Sequence, residues 1–343
     1  MKKRSIFIII LSIAAILLGL IFIFILKPSL VLVEKNGAGE DTPADNEVQT
    51  EREEKIDVNI QTDIGNYVLK EKNIPDILST DLLLNFIIKL EKGSELESVR
   101  LDDTSLNLLS ADGEFGLVSI SYLNDGIKLS PTYILDPTNH TLNVAINKNN
   151  KTQEFEYNFL LKYEDNFSDP KKTEQLWSKP LTAVHPDDFR WSIETGKLLG
   201  ISTATSIYGD RYASLAFLRR VSGDINIDFD INVTSNKTNL VVYFYESRVN
   251  FLIGGVDNTR IFYGVDNERG SVNFKTEKGS AYSFRVERIN NKYQIIDLKN
   301  GDILASFQDD GSARLDAVGF AIWNNSNGIE ITKTKIWWQD PEN

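Results

Sequence analysis

The chain has 343 residues, with 37 basic and 49 acidic side chains, a net charge of −12, no cysteine, one methionine and two histidines. This composition excludes a disulfide framework, a zinc–thiolate or iron–sulfur centre and a cysteine nucleophile. It leaves little material for histidine chemistry or a transition-metal site, and the acidic balance argues against a nucleic-acid partner.

Residues 6–26, IFIIILSIAAILLGLIFIFIL, run 21 positions without a charge. That is long enough to cross a bilayer as a helix. Lys2, Lys3 and Arg4 precede the run, and Lys27 alone follows it closely. The positive-inside bias therefore predicts a cytoplasmic N-terminus, a membrane partner through residues 6–26, and an extracytoplasmic bulk. The competing reading is a cleaved signal peptide. Against it, the run is long for such a segment and no small-x-small site follows closely. An exported chain without cysteine suggests a prokaryotic cell surface.

Residues 34–56 hold eight acids, three bases and no aromatic residue. Such a stretch cannot bury enough apolar surface to offset its ordering entropy, so a flexible tether is predicted. Fully stretched it would reach about 75 Å at roughly 3.3 Å per residue.

From Asp57 the pattern becomes short alternating runs. Leu142, Val144 and Ile146 alternate with polar residues, Asn147 to Asn150 break the pattern, and Phe155, Tyr157, Phe159, Leu161 and Tyr163 alternate again. Period two in both arms around an Asn-rich turn predicts a hairpin with one buried face. Further strands are expected within 82–90 and 115–122. A short helix capped by Asp81 is the alternative for the first. About seven short strands over 57–165 fit a small β-sandwich. Residues 132–163, TYILDPTNHTLNVAINKNNKTQEFEYNFLLKY, resemble the closing strands of bacterial immunoglobulin-like modules. The resemblance implies a spacer without catalytic residues.

Residues 166–343 are again almost all β-signal. Candidate strands include 224–233, 240–246, 271–275, 281–288, 293–298, 303–308, 317–323 and 329–337. Asn290-Asn291, Asn300-Gly301, Asp310-Gly311 and Asn327-Gly328 punctuate them, supplying the positive φ that tight hairpins need. Trp337 and Trp338 point to opposite faces, so at least one belongs to a core. The opening Asn166-Phe167-Ser168-Asp169, Trp177, and Trp191 to Leu198 (WSIETGKL) resembles the start of concanavalin A-like lectin/glucanase domains. SGDINIDFDINV at 222–233 is similar to their next strand. Tyr282 to Tyr293 followed by Asn300-Gly301, then Val318-Gly319-Phe320 and 328–336, resembles the hairpin and close of laminin-G-like and 3-keto-disaccharide hydrolase domains. The expected fold class is thus all-β: a transmembrane helix, a small immunoglobulin-like β-sandwich and a concanavalin A-like β-sandwich (jelly roll). The expected boundaries are 1–33 for tip and anchor, 34–56 for tether, 57–165 for spacer and 166–343 for the distal sandwich.

Glycoside hydrolysis usually needs two carboxylates at a set separation. The Glu-x-Asp-x-x-Glu strand of glucanases on this fold does not occur here. Asp224, Asp228 and Asp230 share one face of a strand whose other face is apolar, which alternation alone explains. His140 and His185 lie in no nucleophile elbow, so surface or capping roles are expected and no catalytic residue is assigned. Calcium suits an exported β-protein, and Asp165, Asn166 and Asp169, or Asp309 with Asp310, lie close in sequence. None has a complete calcium-loop pattern, and turn-forming side chains explain them. No metal site or cofactor is assigned.

Sugar binding needs aromatic faces beside planar polar groups. In VVYFYESR, Tyr243 and Tyr245 share a face opposite Val242 and Phe244. In GFAIWNN, Phe320 and Ile322 oppose Ala321 and Trp323. If Phe244, Phe320 and Ile322 face the core, then Tyr243, Tyr245 and Trp323 face outward, with Arg248, Asn324 and Asn325 as polar neighbours. The expected ligand-binding set is Tyr243, Tyr245, Arg248, Trp323 and Asn325. The competing reading is ordinary cross-strand packing. The sequence therefore points to a membrane-anchored extracytoplasmic protein presenting a lectin-like sandwich to glycans or surface polymers. The alternatives are a hydrolase of the 3-keto-disaccharide type and a protein-adhesion or structural envelope component. Residues 1–33 carry four bases and no acid, so the remainder has a net charge of −16. Adsorption to anionic polymers would then need bridging cations.

Overall fold

The computed structural model of the protein describes residues 58–62, 68–70, 74–79, 84–102, 104–106, 118–123, 126–131, 135–177, 181–182, 189–202, 212–254, 258–265, 268–310, 315–323 and 328–339. The expected membrane span at 6–26, the tether at 34–56, Asp81, His185 and Asn325 lie outside these residues. Among the described residues, no helix is long and apolar enough to cross a membrane.

The first half contributes β1 (Val58–Thr62), β2 (Val68–Leu69), β3 (Asp76–Ser79), β4 (Phe86–Leu90), β5 (Ser94–Leu101), β6 (Thr104–Leu106), β7 (Val118–Leu123), β8 (Gly126–Pro131), β9 (Asn139–Lys148) and β10 (Lys151–Asp165). One sheet has the order β2-β1-β4-β8-β7. Across from it, β10 pairs with β9, β9 with β5 and β5 with β6, while β3 runs parallel to β10. Phe86 and Phe159 join the two sheets with ring centroids 5.6 Å apart. The β9–β10 hairpin forms as its alternation requires. Asn149 (φ 54°) and Asn150 (φ 62°) make the turn in the left-handed region that Asn tolerates. Phe155, Tyr157, Phe159, Leu161 and Tyr163 are all buried.

The second half begins with a seven-residue helix, α1 (Pro170–Leu176), whose Asp169 carboxylate accepts the Lys171 N–H as N-cap. Its strands are β11 (Leu181–Thr182), β12 (Phe189–Glu194), β13 (Lys197–Ser202), β14 (Tyr212–Ala216), β15 (Val221–Ser222), β16 (Asp224–Val233), β17 (Leu240–Phe244), β18 (Val249–Gly254), β19 (Arg260–Val265), β20 (Glu268–Asn273), β21 (Ala281–Ile289), β22 (Lys292–Asp297), β23 (Asp302–Gln308), β24 (Leu315–Asp316), β25 (Val318–Trp323) and β26 (Ile329–Gln339). They form a β-sandwich. The seven-stranded sheet β11-β14-β25-β17-β18-β19-β20 packs on a sheet that includes β23-β22-β21-β16-β26. Phe229 meets Phe320 at 5.3 Å and Phe244 meets Tyr293 at 5.1 Å between the two layers. β16 alternates along its full length, with Ile225, Ile227, Phe229, Ile231 and Val233 all at the core. Each such side chain contributes about 1.5–3 kcal/mol when fully buried.

No linker separates the halves. The end of β10 pairs with β26, the last strand of the chain, through Tyr163↔Ile336, Glu164↔Lys335 and Asp165↔Thr334. The Trp338 N–H donates to the Pro137 carbonyl at 2.8 Å. The Tyr163 hydroxyl donates to the Leu135 carbonyl at 2.6 Å, and burial pushes its pKa well above the usual phenol range. Residues 55–343 group as one unit, and the buried apolar residues of both halves form one continuous cluster. Trp338 belongs to that cluster. Trp337 is on the opposite face yet is only 7% exposed, because Lys162 Nζ lies 4.5 Å and the Arg285 guanidinium 5.0 Å from its ring centroid.

Candidate functional site

The outer face of the seven-stranded sheet is built by strict alternation. Leu240, Val242 and Phe244 of β17, and Val318, Phe320 and Ile322 of β25, point into the core and are essentially unexposed. Their neighbours Val241, Tyr243 and Ala321 therefore point the other way. Register aligns Ala321 with Val241, Val241 with Leu252 and Leu252 with Phe262 across four strands. Val241, Leu252 and Ala321 form a second, small apolar cluster, and the partly buried Tyr243 and Phe262 rings pack against it. A small apolar cluster, itself buried and flanked by two partly exposed aromatic rings, thus lies on the side of the sheet that faces away from the main core.

Of the five residues expected to bind ligand, Tyr243, Tyr245, Arg248 and Trp323 are described and Asn325 is not. Tyr243 and Tyr245 come together, with ring centroids 4.9 Å apart. Arg248, exposed and at φ 56°, closes the turn that follows Tyr245, its N–H donating to the Tyr245 carbonyl at 3.3 Å. Tyr243 sits opposite Gly319 on β25, so Trp323 lies four positions further along that strand, about 13 Å away at roughly 3.3 Å per residue. Trp323 pairs with Tyr212 of β14. Gly319 is required where it is, because a Cβ there would lie 2.3 Å from the Leu215 carbonyl oxygen. Phe262 is a member of this surface that the sequence pattern did not reveal. Its strand carries only a weak signal, Arg-Ile-Phe-Tyr-Gly-Val, that alternation does not single out.

The turn carrying Tyr245 and Arg248 is clamped to β24. Asp316, wholly buried, accepts the Glu246 N–H at 2.9 Å through one oxygen and the Ser247 hydroxyl at 2.5 Å through the other. Arg288, itself buried, lies 3.4 Å from the latter oxygen. In return the Glu246 carboxylate accepts the Ala317 N–H at 2.6 Å and pairs with Arg220 at 2.7 Å. The Tyr245 N–H donates to the Ala317 carbonyl at 2.8 Å. Burial pushes the Asp316 carboxyl above the usual carboxylate range. Burial opposes ionisation of Glu246 too, but the Ala317 N–H, the neighbouring Asp316 carboxyl and Arg220 outweigh it and hold its pKa low.

Three of the carboxylates weighed for other chemistry, Asp228, Asp165 and Asp169, make structural hydrogen bonds. Asp228 receives Arg285 in a two-point pair at 2.7 and 3.0 Å. Asp165 accepts the Phe167 N–H and the Thr173 hydroxyl, Asn166 accepts the Ser168 N–H, and Asp169 caps α1. Among the described residues, no group of three acidic or histidine side chains could hold a metal ion. His140, expected in a surface or capping role, is buried and bonds a turn carbonyl. It is 6% exposed, with Nδ1 2.9 Å from Asp102 Oδ2 and Nε2 2.7 Å from the Asp136 carbonyl oxygen.

The chain matches no protein-family model and no curated protein. Among solved structures it is similar to a Bacillus licheniformis β-glucanase, at 11% identity and a TM-score of 0.40 over 51% of this chain and 97% of that one. It is similar to the carbohydrate-binding module CBM66 from Bacillus subtilis, at 12% identity and a TM-score of 0.31 over 42% of this chain and 91% of that one. A sialidase matches at 12% identity and a TM-score of 0.39 over 58% of this chain, which spans 21% of the sialidase's length. What the sheet face does is therefore read from its own residues.

Proposed function

We propose that the protein is a membrane-anchored, extracytoplasmic glycan-binding protein of a prokaryotic cell surface. Residues 6–26 anchor it, 34–56 tether it, 57–165 form an immunoglobulin-like spacer, and 166–343 form a concanavalin A-like sandwich that presents the binding face. The observation that carries the reading is the pair of partly exposed rings, Tyr243 and Phe262, packed on the buried Val241–Leu252–Ala321 cluster. Pyranose rings have apolar C–H faces that stack on such rings, while hydroxyls need planar polar partners at the rim. Asn250 lies beside Tyr243 in the register, and Arg248 follows the Tyr245 ring. Trp323 follows Ala321 by two positions on β25.

A glycan array probed with the full-length chain in detergent, beside Tyr243→Ala and Trp323→Ala, tests this. Specific binding that falls at least about tenfold in Tyr243→Ala is expected, since a stacked aromatic is worth about 0.5–1.5 kcal/mol beyond the area it buries. A blank array, or binding indifferent to both substitutions, would refute the reading and favour protein adhesion.

A further inference from the structure

We propose that Asp316 is the positioning residue of the Tyr243–Tyr245–Arg248 surface, holding the turn after β17 so that Tyr245 and Arg248 keep their places relative to Tyr243. The inference rests on the glycan-binding reading of that face, but its first readout does not.

Tyr243 is fixed by the sheet, because it lies within β17 between two hydrogen-bonded neighbours. Tyr245 and Arg248 lie beyond the strand, and the ladder ends at Phe244↔Val249. Their positions depend on the turn, in which Tyr245, Glu246 and Ser247 are tied to Asp316-Ala317 and Arg248 closes back on the Tyr245 carbonyl. Asp316 takes two donors from successive residues, Glu246 N–H and Ser247 Oγ–H. Ala317 gives its N–H to Glu246 and takes the Tyr245 N–H on its carbonyl. β24 itself is held by pairing with β15, through Val221↔Asp316 and Ser222↔Leu315. Arg288 of β21 completes the anchor, with Nε and Nη2 donating to the Gly223 carbonyl at 3.1 and 2.9 Å. A wholly buried carboxyl with this many donors behaves as a rigid post. It touches the turn and stands one residue removed from the rings and the guanidinium that would meet a ligand.

The charged groups around Asp316 are Glu246, Arg288 and, through Glu246, Arg220. Burial, with the Glu246 carboxyl beside it, pushes the Asp316 pKa up. Raising the pH through the Asp316 titration places two carboxylates side by side and weakens the clamp. A merely structural residue would change stability without giving the binding face this pH profile.

The test uses the full-length chain in detergent with Asp316→Asn and, as a milder variant that leaves the acid pair intact, Ser247→Ala. Hydrogen exchange at residues 245–248, corrected for intrinsic rate, should be about tenfold faster in both variants while β17 and β18 exchange as in the parent chain. Binding to whichever arrayed glycan the parent chain retains should weaken in parallel. Its pH dependence should flatten in Asp316→Asn but persist in Ser247→Ala. Unchanged exchange in the turn of a folded Asp316→Asn chain would overturn the inference, whatever the array shows. Faster exchange in the turn, with a parent chain that binds no glycan, would uphold Asp316 as the post for Tyr245 and Arg248 and refute the glycan reading alone.

Discussion

Replacing Trp337 by alanine should cost far more than its position on an outward-facing strand suggests. Alternation along β26 puts Ile336 and Trp338 in the core and Trp337 on the opposite face. A substitution on a solvated face usually changes stability by no more than about 0.5 kcal/mol. Trp337 is nevertheless 93% hidden, because Lys162 and Arg285 lie over its ring. An indole buries about 150–250 Å², and its transfer alone could reach about 4–6 kcal/mol at 25 cal/mol per Å² as an upper bound. Each cation adds about 0.5–1 kcal/mol. The overlying side chains are long and can collapse into the gap, which returns part of that loss. The expected cost is about 3–4 kcal/mol. With a urea m-value of about 1–3 kcal/mol/M, far-UV circular dichroism should show the midpoint falling by more than about 1 M at unchanged m. Trp337→Phe, which keeps a ring beneath the two cations, should recover much of the loss. A midpoint shift below about 0.3 M for the alanine variant would refute the claim that paired cations convert a surface tryptophan into a core residue.

Gly254→Ala should be severe, because its φ is 102° and the new Cβ would lie 1.9 Å from the Thr238 carbonyl oxygen. A loss of more than about 3 kcal/mol by denaturation is expected, whereas Gly279→Ala, at φ 84° with open space around it, should cost only about 1 kcal/mol. A smaller penalty at Gly254 than at Gly279 would overturn the close-approach argument. Burial opposes ionisation of Asp102, but the His140 ring and the Thr141 N–H outweigh it and leave its pKa lowered. A lowered folded-state value means that its stabilisation is present above the unfolded carboxylate pKa and is lost as the pH falls through the folded one. Asp102→Asn should therefore flatten the acid limb of the stability profile and leave the alkaline limb unchanged; an unaltered acid limb would count against the pairing.

Where one face of a strand is buried and the other wet, the sequence states the strand openly. β16 and the β9–β10 hairpin show this, down to the Asn149-Asn150 turn. β18 shows the opposite case. All six residues of Val249–Gly254 are buried, so no period-two contrast remains to be read. Tyr243 and Tyr245 were legible as same-face neighbours because both lie at or near one strand. Their separation from Trp323 was not, because it depends on the register between β17 and β25. Asp316 was invisible for a related reason: nothing local marks a carboxyl whose donors come from residues about seventy positions away. The ladder between β10 and β26 joins residues more than 160 positions apart, and the alternation of each strand is the same with or without it. Ten strands occur among the described residues of the first half, more than the seven or so expected, because two- to four-residue strands carry too few alternations to register.

The strand that leaves the first half is already stitched into the second, so residue 165 offers no pivot. A body carried on a flexible joint samples many headings and tolerates a target at any angle. Here the outer face around Tyr243 keeps a fixed bearing relative to β10 as long as the three-residue ladder and the Trp338–Pro137 bond persist. A pull applied at that outer face is passed across the sheet from β26 to β10 rather than stretching a loop.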